Sequence, residues 1–351
     1  MRRSSRNRTF SRVAALALAI LLLSGVSLPA AAAEGAAEGG VISIGSRSEL
    51  LEFAQSCSLD TWSRGKTVEL TADISLEGAD FSPIPIFGGV FDGNGHTISG
   101  LSISGGCPAG LFGIVQPGGE VRNLRVTGRV APSGEADTLG GLAGINHGTI
   151  AGCSFQGTVS GGARVGGLVG VNETEGQLIN CSFTGTVTGE HYVGGVAGEN
   201  FGALVQCGNG GAVNTTELEV EAGMAESVEQ LRSTESVPAG TDMGGIAGFS
   251  AGVIQSCRND GDVGYPHTGY NVGGIAGRQT GYLGDCVNTG TVRGRKDVGG
   301  IAGQMEPQVT LKYEEDTLSR LWEELDALEA LADRALGHLP FQRTHGREDH
   351  L

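Results

Sequence analysis

Along most of this chain, apolar and polar positions alternate in short runs, and each run ends at glycine. Strings such as DCVNTGTV at 285–292 recur with the same register. One column holds Leu101, Leu124, Cys153, Cys181, Cys207, Cys257 and Cys286, and three residues earlier lie Ile98, Val121, Ile150, Leu178, Leu204, Ile254 and Leu283. Four residues later comes a glycine: Gly105, Gly128, Gly157, Gly185, Gly211, Gly261 and Gly290. Six residues later come Val130, Val159, Val187, Val213, Val263 and Val292. Counted from the cysteine, positions 0, +2, +4 and +6 share a parity, so in a strand they point to one side, which is predicted to face inward. Ser154, Gln156, Arg258, Asp260 and Thr289, which lie between them, are predicted to meet water. Alternation over so few residues, bounded by glycine, is a strand pattern.

The position two after the cysteine changes along the chain, from Ile103, Val126, Phe155 and Phe183 to Asn209, Asn259 and Asn288. Two readings fit the asparagines: an amide ladder from coil to coil, or turn-forming residues at a strand end.

Six Gly-Gly pairs punctuate the pattern: LGGLAG at 139–144, VGGLVG at 165–170, VGGVAG at 193–198, MGGIAG at 243–248, VGGIAG at 272–277 and VGGIAG at 298–303. Their spacings of 26, 28, 50, 29 and 26 describe a period near 27 with one insertion. A strand of about seven residues, a turn, a second strand through VGGIAG and another turn make one coil. The fold class expected is all-β, a right-handed parallel β-helix; a β-propeller is the alternative, but its blades need about 40 residues each.

The flanks depart from this period. Ser46-x-x-Glu49 opens SRSELLEFAQ as a capping box, predicting a short helix that covers the first coil, with TVELTADISL at 67–76 as the first strand. Leu318, Leu321, Leu325, Leu328, Ala332 and Ala335 are spaced 3 and 4 apart, predicting an amphipathic, coiled-coil-like helix. The expected organisation is therefore a signal peptide over 1–33, a cap and first strands over 34–83, and the repeats over 84–304 with an insertion at 214–241. A helix over 305–337 and a disordered tail over 338–351 follow.

Composition sharpens this. The 351 residues include 62 glycines, and their periodicity marks repeated turns rather than a flexible chain. Five arginines, an apolar run and PAAAA make the first 33 residues a secretory signal, so the expected location is outside the cell or on its surface, with no membrane span after cleavage. The net charge of −16 becomes −21 without those five arginines, which argues against a nucleic-acid partner.

Little chemistry is legible. There is no H-E-x-x-H and no Cys-x-x-Cys, and His338, His345 and His350 fall in the tail. Asp92, Asn94 and His96 in FDGNGHTI read as a turn. Asp260, Asp262, Asp285, Arg293, Arg295 and Lys296 are outward candidates for a polysaccharide groove, without the spacing of a carboxylate pair. No catalytic, cofactor-binding or metal-binding residue is assigned, and no cofactor is expected. The column cysteines are expected to be reduced, buried and inert; Cys57 and Cys107 lie outside the column.

GLAG at 141–144, GLVG at 167–170, FGGVFDGNGHTISGLSI at 87–103 and GLFG at 110–113 resemble the GLUG-repeat family, over about residues 84 to 304. The resemblance implies an exported bacterial surface protein, with similar repeats beside immunoglobulin-A-protease-type metallopeptidases and in adhesin-like chains. Two functions follow as expectations. One is a non-enzymatic surface or extracellular scaffold of adhesion type, with host or envelope glycans or proteins as partners and self-association through the C-terminal helix. The other is a carbohydrate-binding or polysaccharide-degrading β-helix, or the front end of a larger surface hydrolase.

Overall fold

The computed structural model describes residues 40–134, 136–215 and 240–306. The signal peptide, most of the insertion, the C-terminal helix and the tail lie outside these residues.

The chain winds into a parallel β-solenoid of about nine turns. Each repeat contributes to four sheets, not to the two strands that the sequence predicts. In one coil, Thr149–Ala151 lies in sheet I, Ser154–Ser160 in sheet II, Ala163–Gly166 in sheet III and Val169–Asn172 in sheet IV. Among the described residues sheet I has nine strands, from Val41–Ile44 to Tyr282–Gly284, and sheet IV has eight. The G-G-x-A-G segment is divided because its two central residues turn the corner between sheets III and IV. The apolar residue there (Leu142, Leu168, Val196, Ile246, Ile275) points inward and is completely buried.

Glycine is required at this corner. A side chain on Gly245 would begin 2.2 Å from the Gly274 carbonyl oxygen and 2.3 Å from the Asn259 side chain. On Gly141 it would meet the Phe155 ring at 2.2 Å. The glycine pair thus makes room for the residue two after the cysteine, a packing relation across sheets that joins two sequence columns.

The columns stack in register. Val121, Ile150, Leu178, Leu204, Ile254 and Leu283 pair coil to coil in sheet I. Val130, Val159, Val187, Val213, Val263 and Val292 do so at the end of sheet II. The first row of the sequence alignment is wrong. Leu101 pairs with Gly128 and Ile98 with Val126, and the partner of Val121 is Phe91. The strand over Thr97–Ile103 is the counterpart of Arg125–Val130, and a one-residue bulge between Ile98 and Leu101, with Gly100 at φ +72°, interrupts their register.

The N-terminal flank is a helix over Arg47–Ser56 that buries Leu50, Phe53 and Ala54. Ser46 Oγ accepts from Glu49 N at 3.3 Å, and Glu49 Oε2 accepts from Gly45 N at 2.8 Å, one residue earlier than in a standard capping box. Phe53 packs on Phe87 and Phe91 at 6.0 and 5.9 Å between ring centroids. The sheet begins before this helix: Val41–Ile44 pairs in parallel with Thr67–Leu70, so the helix is the crossover between them.

Three rows of polar side chains run through the interior or along its edge. Asn209 Nδ2 donates to Asn259 Oδ1 at 2.7 Å, and Asn259 Nδ2 to Asn288 Oδ1 at 2.8 Å. Each of these amides also bonds the glycine two residues on, for example Asn209 Oδ1 from Gly211 N and Nδ2 to Gly211 O. Both readings of these asparagines therefore hold at once. A second ladder, absent from the sequence reading, closes sheet IV: Asn146 to Asn172 and Asn172 to Asn200 at 2.9 Å, then Asn200 to Ser250 Oγ at 3.0 Å. Gln279 follows in this row, fully buried, with both amide atoms unpaired among the described residues. The third row is the cysteines. All are free; Cys153, Cys181, Cys207 and Cys257 are buried and Cys286 is half-buried. Of the exceptions, Cys107 is exposed, and burial pushes the Cys57 thiol up to about 12.

Candidate functional site

On the outer surface, aromatic and charged side chains of successive coils meet at the corner between sheets III and IV. The closing glycine of each G-G-x-A-G segment draws the two sheets together there. A side chain on Gly248 would meet Val193 N at 2.4 Å and the Tyr192 carbonyl carbon at 2.5 Å, in the coil before. The backbones touch, so the outward side chains flanking the contact converge.

Sheet III supplies Arg164, Tyr192, Asp242 and Asn271, all at positive φ between 53° and 56°. Sheet IV supplies Val171, Glu199, Phe249 and Arg278, stacked in register. Tyr192 meets Phe249 edge to face at 6.2 Å, and Phe201 meets Phe249 at 5.9 Å. The Arg278 guanidinium lies 4.9 Å above the Phe249 ring, and its Nε is 3.5 Å from Asp242 Oδ1. Asn271 Nδ2 donates to the same oxygen at 2.8 Å. Burial raises the proton affinity of Glu199, against the pull of Arg164 and with a further push from Glu173. Sequence parity could not find this stripe, because its members come from two strands of different coils and are all outward.

The outward candidates read from the sequence are placed differently. Asp260 bonds Arg258 and Thr289, and Asp262 accepts from Thr291 N at 2.9 Å with Arg293 3.6 Å away. These bonds hold both carboxyls below the usual range, the reverse of what a general acid needs. Arg295 stacks 5.9 Å from the Tyr270 ring, Lys296 lies 4.0 Å from Asp297, and Asp285 is exposed in a turn at φ 53°. They do not converge.

Asp92, Asn94 and His96 form a turn, as read, with Asn94 and Gly95 both at positive φ. Asp92 accepts from Asn94 N at 2.8 Å, Arg122 Nε at 2.7 Å and Asn123 Nδ2 at 3.2 Å. Burial opposes ionisation of Asp92, but these bonds outweigh it and hold the carboxyl below its ordinary value. His96 Nδ1 lies 3.2 Å from Asp73 Oδ1. A shallow cleft of about 180 Å³ beside the helix, lined by Leu51, Gln55, Asp80 and Pro83, is smaller than ordinary ligand pockets of roughly 300–1,000 Å³. Among the described residues, no three His, Cys, Asp or Glu side chains gather as a metal site.

The repeat has a known counterpart. Residues 161–188 carry the GLUG motif. They span sheets III, IV, I and II of one coil, so the motif is one full turn of the solenoid. Two proteins share part of the chain. Halomucin from Haloquadratum walsbyi is 37% identical over 128 residues, 31% of this chain and 1% of that protein. A putative Gly-rich membrane protein from Evansella cellulosilytica is 35% identical over 96 residues, 25% of this chain and 11% of that protein. The chain thus corresponds to a small part of either relative. A putative immunoglobulin A1 protease from Bacteroides ovatus shares the fold, with a TM-score of 0.54 and 18% identity over 76% of this chain and 82% of that one. Among the described residues no helix is long and apolar enough to cross a membrane.

Proposed function

We propose that this GLUG-repeat solenoid is an exported, non-enzymatic surface or extracellular scaffold of adhesion type. The observation that carries the reading is the contrast between a constant interior and a variable exterior. The inward columns repeat coil after coil, while the corner of sheets III and IV changes from Arg164 with Glu199 to Tyr192 with Phe249 to Asp242 with Arg278. A frame that holds unlike side chains at equal spacing suits recognition, where aromatic residues and arginine dominate contact energy. In this reading the Arg47–Ser56 helix closes the first coil, the amphipathic segment over 305–337 provides self-association, and host or envelope glycans or proteins are the partners.

Fractionation of the native host followed by binding of the mature protein to glycan and protein arrays tests this. Surface location with binding lost in Phe249→Ala is the expected outcome; a cytosolic protein without a partner would remove the proposal. The half-buried Glu199 between two arginines favours a second reading, a carbohydrate-active β-helix. Release of reducing ends from acidic polysaccharides, abolished by Glu199→Gln, would establish that reading instead. The reading as the front end of a larger surface hydrolase is checked by sequencing beyond codon 351.

A further inference from the structure

At the corner between sheets III and IV, the closing glycine of each segment fixes which outward residues face each other. Gly198 rests on the Arg164 main chain, Gly248 on that of Tyr192 and Gly277 on that of Asp242, each in the coil before. The residue after each glycine is thereby set beside a counterpart, giving the couples Glu199 with Arg164, Phe249 with Tyr192 and Arg278 with Asp242. The last two close within the protein, ring against ring and guanidinium against carboxylate. The first has opposite charges and does not close. Arg164 turns instead to its own preceding coil, donating from Nε to Thr138 Oγ1 at 2.9 Å and from a terminal nitrogen to Asp137 Oδ2 at 3.3 Å. Among the described residues Glu199 has no hydrogen bond and no ion pair.

Its surroundings favour a cation. On the outer face of sheet IV, Glu199 stands in register between Val171 and Phe249, one strand spacing or about 4.8 Å from each. Burial between these apolar neighbours raises its proton affinity, and Glu173 of the coil before pushes the same way, while Arg164 attracts it without contact. The Phe249 ring already carries one guanidinium, that of Arg278 at 4.9 Å, and its position shows that this ring accepts cations. Folding gains nothing from a half-buried carboxylate that is left unpaired, whereas a charged partner does.

We propose that this corner docks a basic segment of a partner protein, with one lysine or arginine side chain entering between Glu199, Glu173 and the Phe249 ring. The proposal rests on the scaffold reading and gives its partner a chemistry. The cationic head closes the couple that Arg164 leaves open, and its methylene stem lies along Val171 and Phe249. A neutral glycan offers no cation for this place. An acidic one is repelled by a chain of net charge −16, which draws basic partners towards it.

The test is fluorescence anisotropy with the full-length protein and labelled Gly-Ser peptides that carry arginines, lysines or glutamates. Both basic peptides should bind, with affinity falling as salt rises, and the glutamate peptide should not. Glu199→Gln keeps the shape of the side chain and should weaken the basic peptides about tenfold, between the effects of exposed and of buried charge pairs. Glu52→Gln removes the same charge from an exposed position of the Arg47–Ser56 helix and should leave their affinity unchanged. No binding of the basic peptides, preference for the glutamate peptide, full affinity in Glu199→Gln, or equal weakening by the two substitutions would overturn the proposal. None of these outcomes touches the scaffold reading, which stands or falls on surface location and array binding.

Discussion

Phe155 and Phe183 occupy the same position in the coil as Asn209, Asn259 and Asn288, each packed on the second glycine of a Gly-Gly pair, yet the two halves of the column are held by different forces. The two rings stack at 6.3 Å with an interplanar angle of 8°, and their strands in sheet II run for seven residues. Where asparagine replaces phenylalanine, the strand stops after two residues, as in Gly208–Asn209 and Arg258–Asn259. The amide then bonds both main-chain groups of the glycine two residues on. Apolar burial is thus exchanged for hydrogen bonding, and the asparagine does locally what the lost ladder would have done. Parallel registration makes either choice propagate, because a residue that fits one coil meets its own kind in the next.

The comparison can be broken most strongly on the aromatic side. Phe183→Ala removes a completely buried ring between Phe155 and the Gly211 main chain and is expected to cost about 3–5 kcal/mol in chemical denaturation. Phe183→Asn should recover part of that loss by extending the amide row to Asn209. A loss equal to that of alanine would show that the row cannot grow in this direction.

Next is Asn259→Ala, which strands the Asn209 amide and the Gly261 main-chain groups inside the protein. The expected cost is about 2–3 kcal/mol, accompanied by faster amide exchange at Gly261. An unchanged exchange rate would mean that the asparagine is only a spacer.

Asp92 sharpens the comparison by adding charge to the same arrangement. It accepts from the main chain two residues on, as Asn209 does from Gly211, and accepts from Asn123 of the next coil, where Asn209 instead donates to Asn259. Its folded proton affinity lies below the ordinary value of 3.8, so its stabilisation is complete above that pH and is lost as the pH falls through the folded value. Asp92→Asn should therefore cost about 1.5–2 kcal/mol at pH 7, with the gap to the native protein closing below about pH 4. A pH-independent gap would assign the effect to packing.

The smallest effect is expected on the outer face of sheet IV, at Glu199. Burial raises its folded proton affinity above 4.5, so its contribution to stability is lost as the pH rises from below 4.5 through the folded value. Glu199→Gln should raise stability at neutral pH by less than about 1 kcal/mol, since the group is half-exposed and screened, and change nothing at low pH. Thermal melts at the two pH values separate these outcomes.

How much of this was legible depended on which side of the chain a residue faces. The inward column of Val130 to Val292 follows from parity with the cysteines, and that of Val121 to Leu283, an odd three residues earlier and in another sheet, from its apolar repetition. The same logic identified the cysteines as interior. It misplaced the first row: Ile98 and Leu101 are buried, but they lie opposite Val126 and Gly128 in sheet II, because apolar alternation marks an inward residue without saying which column of the coil it fills. The Asn146, Asn172 and Asn200 ladder did have a signal, an amide two residues after each closing glycine, but it lay beyond the cysteine strings and next to variable turns.

Sequence alone determined the period, the parallel stacking and the inward face, since these follow from a hydrophobic pattern that only neighbouring coils can bury. Tertiary structure decided that each repeat bends through four sheets and that Tyr192 meets Phe249 while Asp242 meets Arg278. The physical reason is the corner: side chains 36 to 57 residues apart converge only because glycine lets one main chain rest directly on another.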